Sequence, residues 1–261
     1  MFSKMSKIWC VCLLVFLSIS VHAQEKNAQL LSNGLKFLDV PYVANTLEVN
    51  DQEELVVNCD EVDCTTFVEY VLAMTLSQTS YDNIHSSEFA NYVQKIRYRD
   101  GKINGYTSRL HYISEWIENS VRNGFLTDVS QKQSPYCNNT DFSYMSSHPK
   151  QYKQLANSPG NVALMKEIEK ELSQKEIRYI PKDKLPANGL PWIKNGDIIA
   201  ITTNIKGLDV CHMGLAIYIE GKLCMLHASS SAKKVLISRI SLAQMLEMTN
   251  SWTGIRVIRI K

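Results

Sequence analysis

Residues 63–76 read DCTTFVEYVLAMTL, and this stretch decides the fold. From Phe67 onward its apolar side chains recur at the i, i+1, i+4 and i+5 spacing that one buried face of a helix requires. Asp63 is a residue type that caps helix N-termini, which makes Cys64 the first helical residue. A thiol at that place faces unpaired backbone N–H groups and the positive end of the helix dipole, and both favour the thiolate. The stretch therefore predicts a buried helix that begins with a candidate nucleophile.

Around this helix the chain divides into a helical part and a later, strand-rich part. Further helices are predicted at residues 29–38, 87–98 and 108–123, and in the segment NVALMKEIEKELS that follows Gly160. The polar residues 124–160 lack clear periodicity and are interpreted as a long loop with short helical pieces. Helices followed by strands indicate an α+β fold with one antiparallel sheet. The strand-like segments are DIIAIT from Asp197, MGLAIYIEGKLCMLHA from Met213, KVLIS from Lys234 and GIRVIRI from Gly254.

A second candidate for chemistry lies in the strand that begins with His212. Strand alternation puts His212 and Gly214 on one face, and residues 220–221 fit a two-residue hairpin turn. In that register Gly214 lies opposite His227 and His212 lies opposite Ser229, so the two imidazoles share a face. A cysteine at a helix start together with two histidines on neighbouring strands is typical of a cysteine hydrolase.

The composition excludes several classes of protein. Hydrophobic residues make up 45% of the 261 residues, which rules out wholesale disorder. Lys and Arg number 28 and Asp and Glu number 26, so no strong basic charge favours nucleic acid as a partner. Because no repeat or domain boundary is visible, residues 24–261 are expected to form a single domain. We also expect a monomer.

The N-terminus, MFSKMSKIWCVCLLVFLSISVHA, has the organisation of a secretory signal peptide. Two lysines precede an apolar stretch, and residues 21–23 place small side chains where signal peptidase reads them. We expect residues 1–23 to be a signal peptide that is cleaved after Ala23 on export to the periplasm or beyond the cell. An N-terminal anchor helix is the alternative. No run of about 18 apolar residues follows, so no stable membrane insertion is expected after cleavage.

Export changes how the cysteines are interpreted. Five of the seven cysteines lie beyond residue 23, and an odd number leaves at least one thiol unpaired. Strand alternation is expected to point Cys211 away from His212. Cys224 is expected on the sheet face opposite the site, beside Cys211 across the hairpin or one residue off. The cysteines that are expected to be structural are Cys59, Cys137, Cys211 and Cys224.

A metal site is one alternative to the hydrolase, because thiols and imidazoles are good ligands for zinc. However, Cys224 and His227 would face opposite sides of one strand, and no CxxC pair occurs in the sequence. We therefore expect no metal and no other cofactor. The residues that this alternative would use are Cys59, Cys64, Cys211, His212, Cys224 and His227.

The order of these features resembles the NlpC-type, papain-like cysteine hydrolases that act on the bacterial cell wall. The matching motifs are Pro41-Tyr42, Asp63-Cys64-Thr65-Thr66-Phe67, Gly196-Asp197, His212-Met213-Gly214 and His227-Ala228. More narrowly, longer stretches resemble an N-acetylmuramoyl-L-alanine amidase-like family that was first catalogued as a domain of unknown function. These stretches, which together cover nearly the whole chain beyond the signal peptide, are VPYVANTLE, VDCTTFVEYVLAM, YTSRLHYISEWI, RYIPKDKL, GDIIAITTNIKGLDVCHMGLAI and LHASSSAKKVLIS.

The resemblance implies a papain-like α+β fold in which the Cys64 helix packs on the antiparallel sheet, with an enlarged helical and loop insertion. Cys64 would be the nucleophile, His212 the general base and then acid, and His227 the group that orients the imidazole. The implied activity is hydrolysis, through a thioester, of the amide bond between N-acetylmuramic acid and L-alanine in soluble muropeptides. The side chains assigned to the oxyanion or to substrate binding are Tyr42, Tyr106, Arg109, His111, Tyr112 and Ser229.

Two other functions remain open on the same fold. Many NlpC-type enzymes cut the peptide bond between γ-D-glutamate and a diamino acid, and Cys/His chemistry alone does not select the bond. A non-catalytic module that binds peptidoglycan would need no reactive thiol.

For Arg109, a solvated charge on a helix is as consistent with the sequence as a role in substrate binding.

Overall fold

The computed structural model describes residues 25–261. The predicted signal peptide at residues 1–23 lies outside the described residues. Within the described part of the chain, no helix has both the length and the apolar character that crossing a membrane requires.

The helices follow the predicted order, but not all of their ends. Among the described residues the first helix, α1, covers 25–35, so it ends before the predicted residue 38. The segment predicted at 108–123 becomes helical only at Ile113, because the preceding residues form a 3-10 turn in which the Ser108 hydroxyl donates to the carbonyl of Gly105 at 2.7 Å. The other α-helices are α2 (Cys64–Ser77), α3 (Ser87–Arg97), α4 (Ile113–Arg122), α5 (Val129–Gln133), α6 (Tyr144–Ser147), α7 (Lys153–Ala156), α8 (Pro159–Leu172) and α9 (Leu242–Met248).

The strands form one large sheet and one small one. They are β1 (Leu126–Asp128), β2 (Cys137–Asn138), β3 (Ile177–Arg178), β4 (Ile180–Pro181), β5 (Ile198–Thr203), β6 (Val210–Ile219), β7 (Lys222–Ser229), β8 (Lys234–Ile237) and β9 (Trp252–Ile260). Among the described residues the large sheet has seven strands, in the order β1-β9-β5-β6-β7-β8 with β4 also paired to β9. Its strand pairs are all antiparallel, which confirms the predicted α+β fold with an antiparallel sheet. The second sheet consists of β2 and β3.

Helix α2 begins where the sequence predicts because Asp63 caps it. The Asp63 carboxylate accepts the backbone N–H groups of Thr65 and Thr66 at 2.9 and 2.8 Å, and the Thr66 hydroxyl accepts the Asp63 N–H at 2.9 Å. Such a cap stabilises a helix end by about 1 kcal/mol. The helix packs against β6 and β7, and its buried face joins the main apolar cluster. Cap and packing together fix Cys64 at the end of a helix that lies on the sheet.

The opposite face of the sheet is covered by α9, which the sequence did not predict. Leu242 of α9 belongs to one apolar cluster with Ala216 of β6 and Met225 of β7. Their neighbours in sequence, Leu215 and Leu226, belong to the cluster under α2. The alternation expected for β6 and β7 therefore holds, and each side of the sheet carries a buried layer.

The region between α4 and β5 is more ordered than the predicted loop. Its short helices α6 and α7 and the longer α8 contribute to a third apolar cluster, which includes Phe142, Met145 and Met165. The short helical pieces expected in residues 124–160 are present, but β1, which pairs with the end of β9, was not expected. A strand of three residues is too short to show a period in the sequence.

Candidate active site

Cys64 is the first residue of α2, and its side chain is half-buried. Burial raises the pKa of the Cys64 thiol to about 12, and the carboxylate of Asp63 raises it further. A backbone hydrogen bond from Met213, the residue next to His212, acts in the opposite direction. The resting side chain is therefore a neutral thiol. This differs from the thiolate predicted from the helix dipole, because loss of water around the sulfur outweighs the dipole.

The imidazoles of His212 and His227 are hydrogen-bonded to each other. Nε2 of His212 lies 2.8 Å from Nδ1 of His227, and the two rings meet edge to face at 89°. Ile219 pairs with Lys222, so the hairpin has the predicted two-residue turn. With that register and the hydrogen bond between the rings, the prediction that the two histidines share a face is confirmed. Burial lowers the pKa of His212 to about 3, helped by His227, and burial lowers the pKa of His227 to about 4. Both rings are neutral at physiological pH.

Gly214 allows β6 and β7 to approach closely beside this pair. A Cβ atom at position 214 would lie 2.6 Å from the carbonyl oxygen of Leu226 and 2.8 Å from the Cβ of His227. Both distances are far shorter than an ordinary contact, and the first involves backbone that cannot move aside easily. A larger residue would therefore push His227 away from His212.

The indole of Trp252 stacks on the His212 imidazole. The ring centroids are 5.8 Å apart and the planes differ by 10°. Trp252 is the first residue of β9 and is half-buried. The imidazole is thus held by a flat ring on its face and by His227 at its edge. Sequence reasoning missed Trp252, because it lies far along the chain from both histidines and no local pattern marks it.

Tyr42 and Ser229, both expected at the site, adjoin it from different sides. Tyr42 forms a β-bridge with Val62, next to the cap of α2. Burial raises the pKa of the Tyr42 phenol, and the Asp63 carboxylate raises it further. The Ser229 hydroxyl is hydrogen-bonded within its own turn and lines the cavity beside the two histidines.

A cavity of about 280 Å³ opens beside the two imidazoles, which form part of its wall. Met245, Met248 and Trp252 supply apolar and aromatic surface, and Ser230 and Thr249 supply hydroxyl groups. No Asp, Glu, Lys or Arg is among the described residues that line this cavity. We refer to it below as the histidine-side cavity.

Arg109 is buried, so the solvated charge considered for it is wrong. Its guanidinium donates to both carboxylate oxygens of Glu53, at 2.8 and 2.6 Å, and to Glu48 at 2.6 Å. Tyr98 also donates to Glu53 at 2.6 Å, and the Tyr106 ring lies 5.1 Å from the guanidinium carbon. The charge of Arg109 is therefore neutralised within the fold.

His111 and Tyr112 likewise make hydrogen bonds inside the protein. Nε2 of His111 lies 2.9 Å from the carbonyl oxygen of Tyr106, and burial lowers the pKa of His111 to about 3. The Tyr112 hydroxyl donates to Glu169 at 2.6 Å and accepts the N–H of Met145 at 3.0 Å. None of the four side chains from Tyr106 to Tyr112 that were assigned to substrate binding lines the histidine-side cavity.

Cys224 lies on the sheet face opposite the two histidines, as predicted, but it is not beside Cys211. That face is the one under α2, whereas His212 and His227 line a cavity on the side of α9, so the body of the Cys64 helix and the two histidines lie on different faces of the sheet. The partner of Cys224 across the hairpin is Ile217, so the predicted proximity to Cys211 is wrong. The two-residue turn leaves Cys211 near the open end of the hairpin, far from the middle of β7. None of the five cysteines among the described residues forms a disulfide.

The side chain of Cys211 does not point away from the site as predicted. A β-bulge interrupts the pairing of β5 with β6, which goes from Ile201–His212 directly to Thr202–Val210 and leaves Cys211 as the extra residue. The bulge resets the alternation, and Cys211 packs against the cluster that Trp252 also contacts.

Within residues 25–261, no group of three or more His, Cys, Asp or Glu side chains is placed to hold a metal ion.

Comparison with known proteins gives matches along nearly the whole described chain. A family model described as AmiA-like, N-acetylmuramoyl-L-alanine amidase-like, matches residues 32–255. The crystal structure of an N-acetylmuramoyl-L-alanine amidase from Bacteroides uniformis is 63% identical with a TM-score of 0.87, and the match covers 91% of this chain and 99% of that one. A structure from Bacteroides fragilis, described as a candidate xylanase, is 61% identical with a TM-score of 0.84, covering 88% and 99%.

A Legionella pneumophila protein is 21% identical with a TM-score of 0.65, covering 90% of this chain and 89% of that one, and shows the fold alone. The search of curated proteins found no match.

Proposed function

The chain belongs to the N-acetylmuramoyl-L-alanine amidase-like family, and from this membership we propose that it hydrolyses the amide bond between N-acetylmuramic acid and L-alanine in peptidoglycan fragments. Placement among the NlpC-type, papain-like hydrolases, with Cys64 as nucleophile, is part of the same proposal. The name of the Bacteroides uniformis relative supports the amidase activity. The observation that carries the mechanism is the hydrogen bond between His212 and His227, together with the backbone hydrogen bond of Met213, the residue after His212, to the Cys64 thiol.

In the proposed acylation step, the neutral Cys64 thiol gives its proton to His212 as the sulfur attacks the lactyl carbonyl carbon. Nε2 of His212 is occupied by His227, so Nδ1 is the nitrogen left to accept that proton. The C–N bond then breaks, and His212 returns the proton to the nitrogen of L-alanine, which leaves as an amine. Because the imidazole is neutral at rest, one of its ring nitrogens carries no proton and can accept one.

The proposed stabilisation of the oxyanion uses groups at the start of α2. The Asp63 carboxylate occupies the N–H groups of Thr65 and Thr66, so the backbone N–H of Cys64 is the helix-end donor that remains for substrate. The phenol of Tyr42, whose backbone pairs with Val62 just before the cap of α2, is the second proposed donor. Two donors that converge on the developing charge would contribute several kcal/mol to lowering the barrier.

In the proposed deacylation step, water attacks the thioester carbon while His212 takes a proton from it. The C–S bond breaks and His212 passes the proton to sulfur. The lactyl carboxylic acid on the sugar then loses its own proton to solvent, and the stem peptide has already left in the acylation step. His227 remains a neutral acceptor for the Nε2–H of His212 throughout, since its own pKa is low. Its proposed role is to hold one tautomer and one orientation of the base.

Other activities on this scaffold are supported less well. A glycosidase of the usual kind needs two carboxyl groups on either side of the bond, about 5 to 9.5 Å apart, and no carboxylate lines the histidine-side cavity. Cleavage between γ-D-glutamate and the diamino acid would use the same thiol and imidazoles, and only the products distinguish it. A non-catalytic binding module gives no reason for the hydrogen bond between His212 and His227.

We further propose that the protein is exported to the periplasm, loses residues 1–23, and acts there as a monomer on soluble muropeptides. The decisive experiment incubates one defined muropeptide with the mature protein and identifies the products by mass spectrometry. Release of the intact stem peptide, absent with a Cys64→Ala variant, is the expected result. If the sugar retains L-Ala-D-Glu while a diamino-acid peptide leaves, the protein is an endopeptidase.

A further inference from the structure

Strand β5 has a β-bulge on each side, and both bulges lie at the same level of the sheet. On the β6 side the extra residue is Cys211, directly before His212. On the β9 side the extra residue is Thr253, directly after Trp252. Bulges re-aim neighbouring side chains and are frequent next to active sites. The two rings that stack on each other, those of His212 and Trp252, therefore each adjoin a bulge.

The stack of these two rings crosses β5. Because β5 lies between β6 and β9, the backbones that carry the rings are about 10 Å apart. The ring centroids are only 5.8 Å apart, so the two side chains reach toward each other across β5. His212 pairs with Ile201 and Trp252 pairs with Thr203. The contact between the rings therefore depends on how β5 holds the strands on its two sides.

Two threonines of β5 hold the residues before and after Trp252. The Thr203 hydroxyl donates to the carbonyl of Ser251 at 2.8 Å, and the hydroxyls of Thr202 and Thr253 are hydrogen-bonded at 2.8 Å. Both β5 threonines are buried, so no water replaces a lost partner. A bulge interrupts the backbone ladder, and these side-chain bonds supply a restraint that the ladder lacks there.

Thr203 is also linked to the strand that carries His212. Its backbone N–H donates to the carbonyl of Asp209 at 3.2 Å, in the segment that leads into β6. One residue of β5 thus bonds the chain just before Trp252 and the chain three residues before His212. Among the described residues that line the histidine-side cavity, neither Thr202 nor Thr203 is present, so any effect of theirs on the reaction is indirect.

From these contacts we propose that Thr202 and Thr203 are positioning residues, which act by holding the indole of Trp252 against the face of the His212 imidazole. The proposal rests on the proposed function, in which His212 is the base. It assigns the two threonines no contact with substrate.

The first test removes the hydroxyls without changing the shape of the side chains much. Thr202→Val and Thr203→Val should each lower kcat on one defined muropeptide by about tenfold and change KM by less than about twofold, because the base is displaced while substrate binding is kept. The corresponding serine variants keep the hydroxyl and should recover most of the loss. Thr75→Val is the matched control, since it removes a buried hydroxyl bond to the Val71 carbonyl within α2 and should leave kcat unchanged.

The second test asks whether the threonines act through the indole. In a Trp252→Ala protein, adding Thr202→Val or Thr203→Val should lower kcat no further, since the ring to be positioned is gone. Losses that add in full would overturn the proposal, because the threonines would then act on another part of the protein. Unchanged kcat in the folded single valine variants would overturn it as well.

A third readout does not need turnover. In a Cys64→Ala protein, the ring current of Trp252 shifts the NMR signals of the His212 ring protons. Thr203→Val should move these signals in the same direction as Trp252→Ala does, whereas Thr203→Ser should leave them in place. Signals that stay in place in Thr203→Val contradict the proposal. If they move as expected but the wild-type protein hydrolyses no muropeptide, the proposed function fails while the positioning of His212 stands.

Discussion

Nε2 of His212 and Nδ1 of His227 lie 2.8 Å apart across the β6–β7 hairpin. Between two neutral imidazoles such a bond needs one donor and one acceptor, so it selects complementary tautomers for the pair. When His212 donates through Nε2–H, its Nδ1 is left unprotonated and can serve as a base. Stacking on Trp252 fixes the plane of the same ring. The hairpin and β9 thus set both the protonation pattern and the orientation of one side chain.

His227→Ala should lower kcat by about 10- to 100-fold, because it removes the acceptor that holds the His212 tautomer. His227→Asn keeps an acceptor oxygen near the position of Nδ1 and should recover most of that loss. His212→Ala should be more damaging than either. Steady-state kinetics on one defined muropeptide check the order of the three variants. Full activity of His227→Ala would mean that Ser229 or a backbone group orients the base instead.

Cys64→Ala and Cys64→Ser should each reduce turnover by about 10⁴-fold or more and leave the fold intact, since the first turn of a helix tolerates both residues. Cys137→Ala is the matched control, because Cys137 is an exposed thiol and should be dispensable. Product formation is followed by mass spectrometry, and folding by circular dichroism. Appreciable turnover by a folded Cys64→Ala protein would exclude the thioester mechanism.

The acid limb of kcat/KM should lie near pH 3 to 4. His212 must be neutral to accept the thiol proton, burial lowers its pKa to about 3, and the pKa of its partner His227 is lowered to about 4. Activity is therefore lost only as pH falls through those values and is retained above them. Circular dichroism at each pH separates this loss from unfolding.

Trp252→Ala uncovers the His212 ring. The acid limb of kcat/KM should therefore move upward toward the ordinary histidine pKa of about 6.5, whereas Trp252→Phe should keep that limb at low pH. A limb near pH 6.5 in the wild-type protein would show that His212 is not shielded from water.

Gly214→Ala should reduce activity by at least about tenfold, because the added methyl group would meet the carbonyl of Leu226 and the Cβ of His227. Gly160→Ala is the control, since a Cβ at that helical position meets nothing within 4 Å. Kinetics of both variants under one set of conditions give the comparison. Equal activity of the two would show that the hairpin adjusts without moving the histidines.

Glu53→Gln should destabilise the protein by about 3 kcal/mol, because it leaves the buried guanidinium of Arg109 short of a carboxylate. The exposed pair of Arg122 with Asp100 is the control, and Arg122→Ala should cost less than about 1 kcal/mol. Urea unfolding measures both. KM of the folded Glu53→Gln enzyme should change by less than about twofold. A large rise in KM without loss of stability would instead restore Arg109 to the role in substrate binding that the sequence suggested.

Much of the fold could be predicted because its signals are local. The capping residue at position 63 and the apolar spacing that follows it determine α2, and with it the place of Cys64. The two-residue turn at 220–221 determines the register of the hairpin, which in turn brings His212 and His227 to one face. Such features depend on residues a few positions apart, where period and turn chemistry act directly on the backbone.

The tertiary structure decided what depends on contacts between distant segments. Trp252 meets His212 only because β9 and β6 both pair with β5, and β1 forms only because β9 offers a partner at the sheet edge. The bulge at Cys211 reversed a side chain that simple alternation had placed. The burial of Arg109 and the neutral state of Cys64 follow from the removal of water by surrounding segments. Sequence periodicity determines which face of an element is buried, but desolvation and long-range pairing are fixed only when the whole chain is packed.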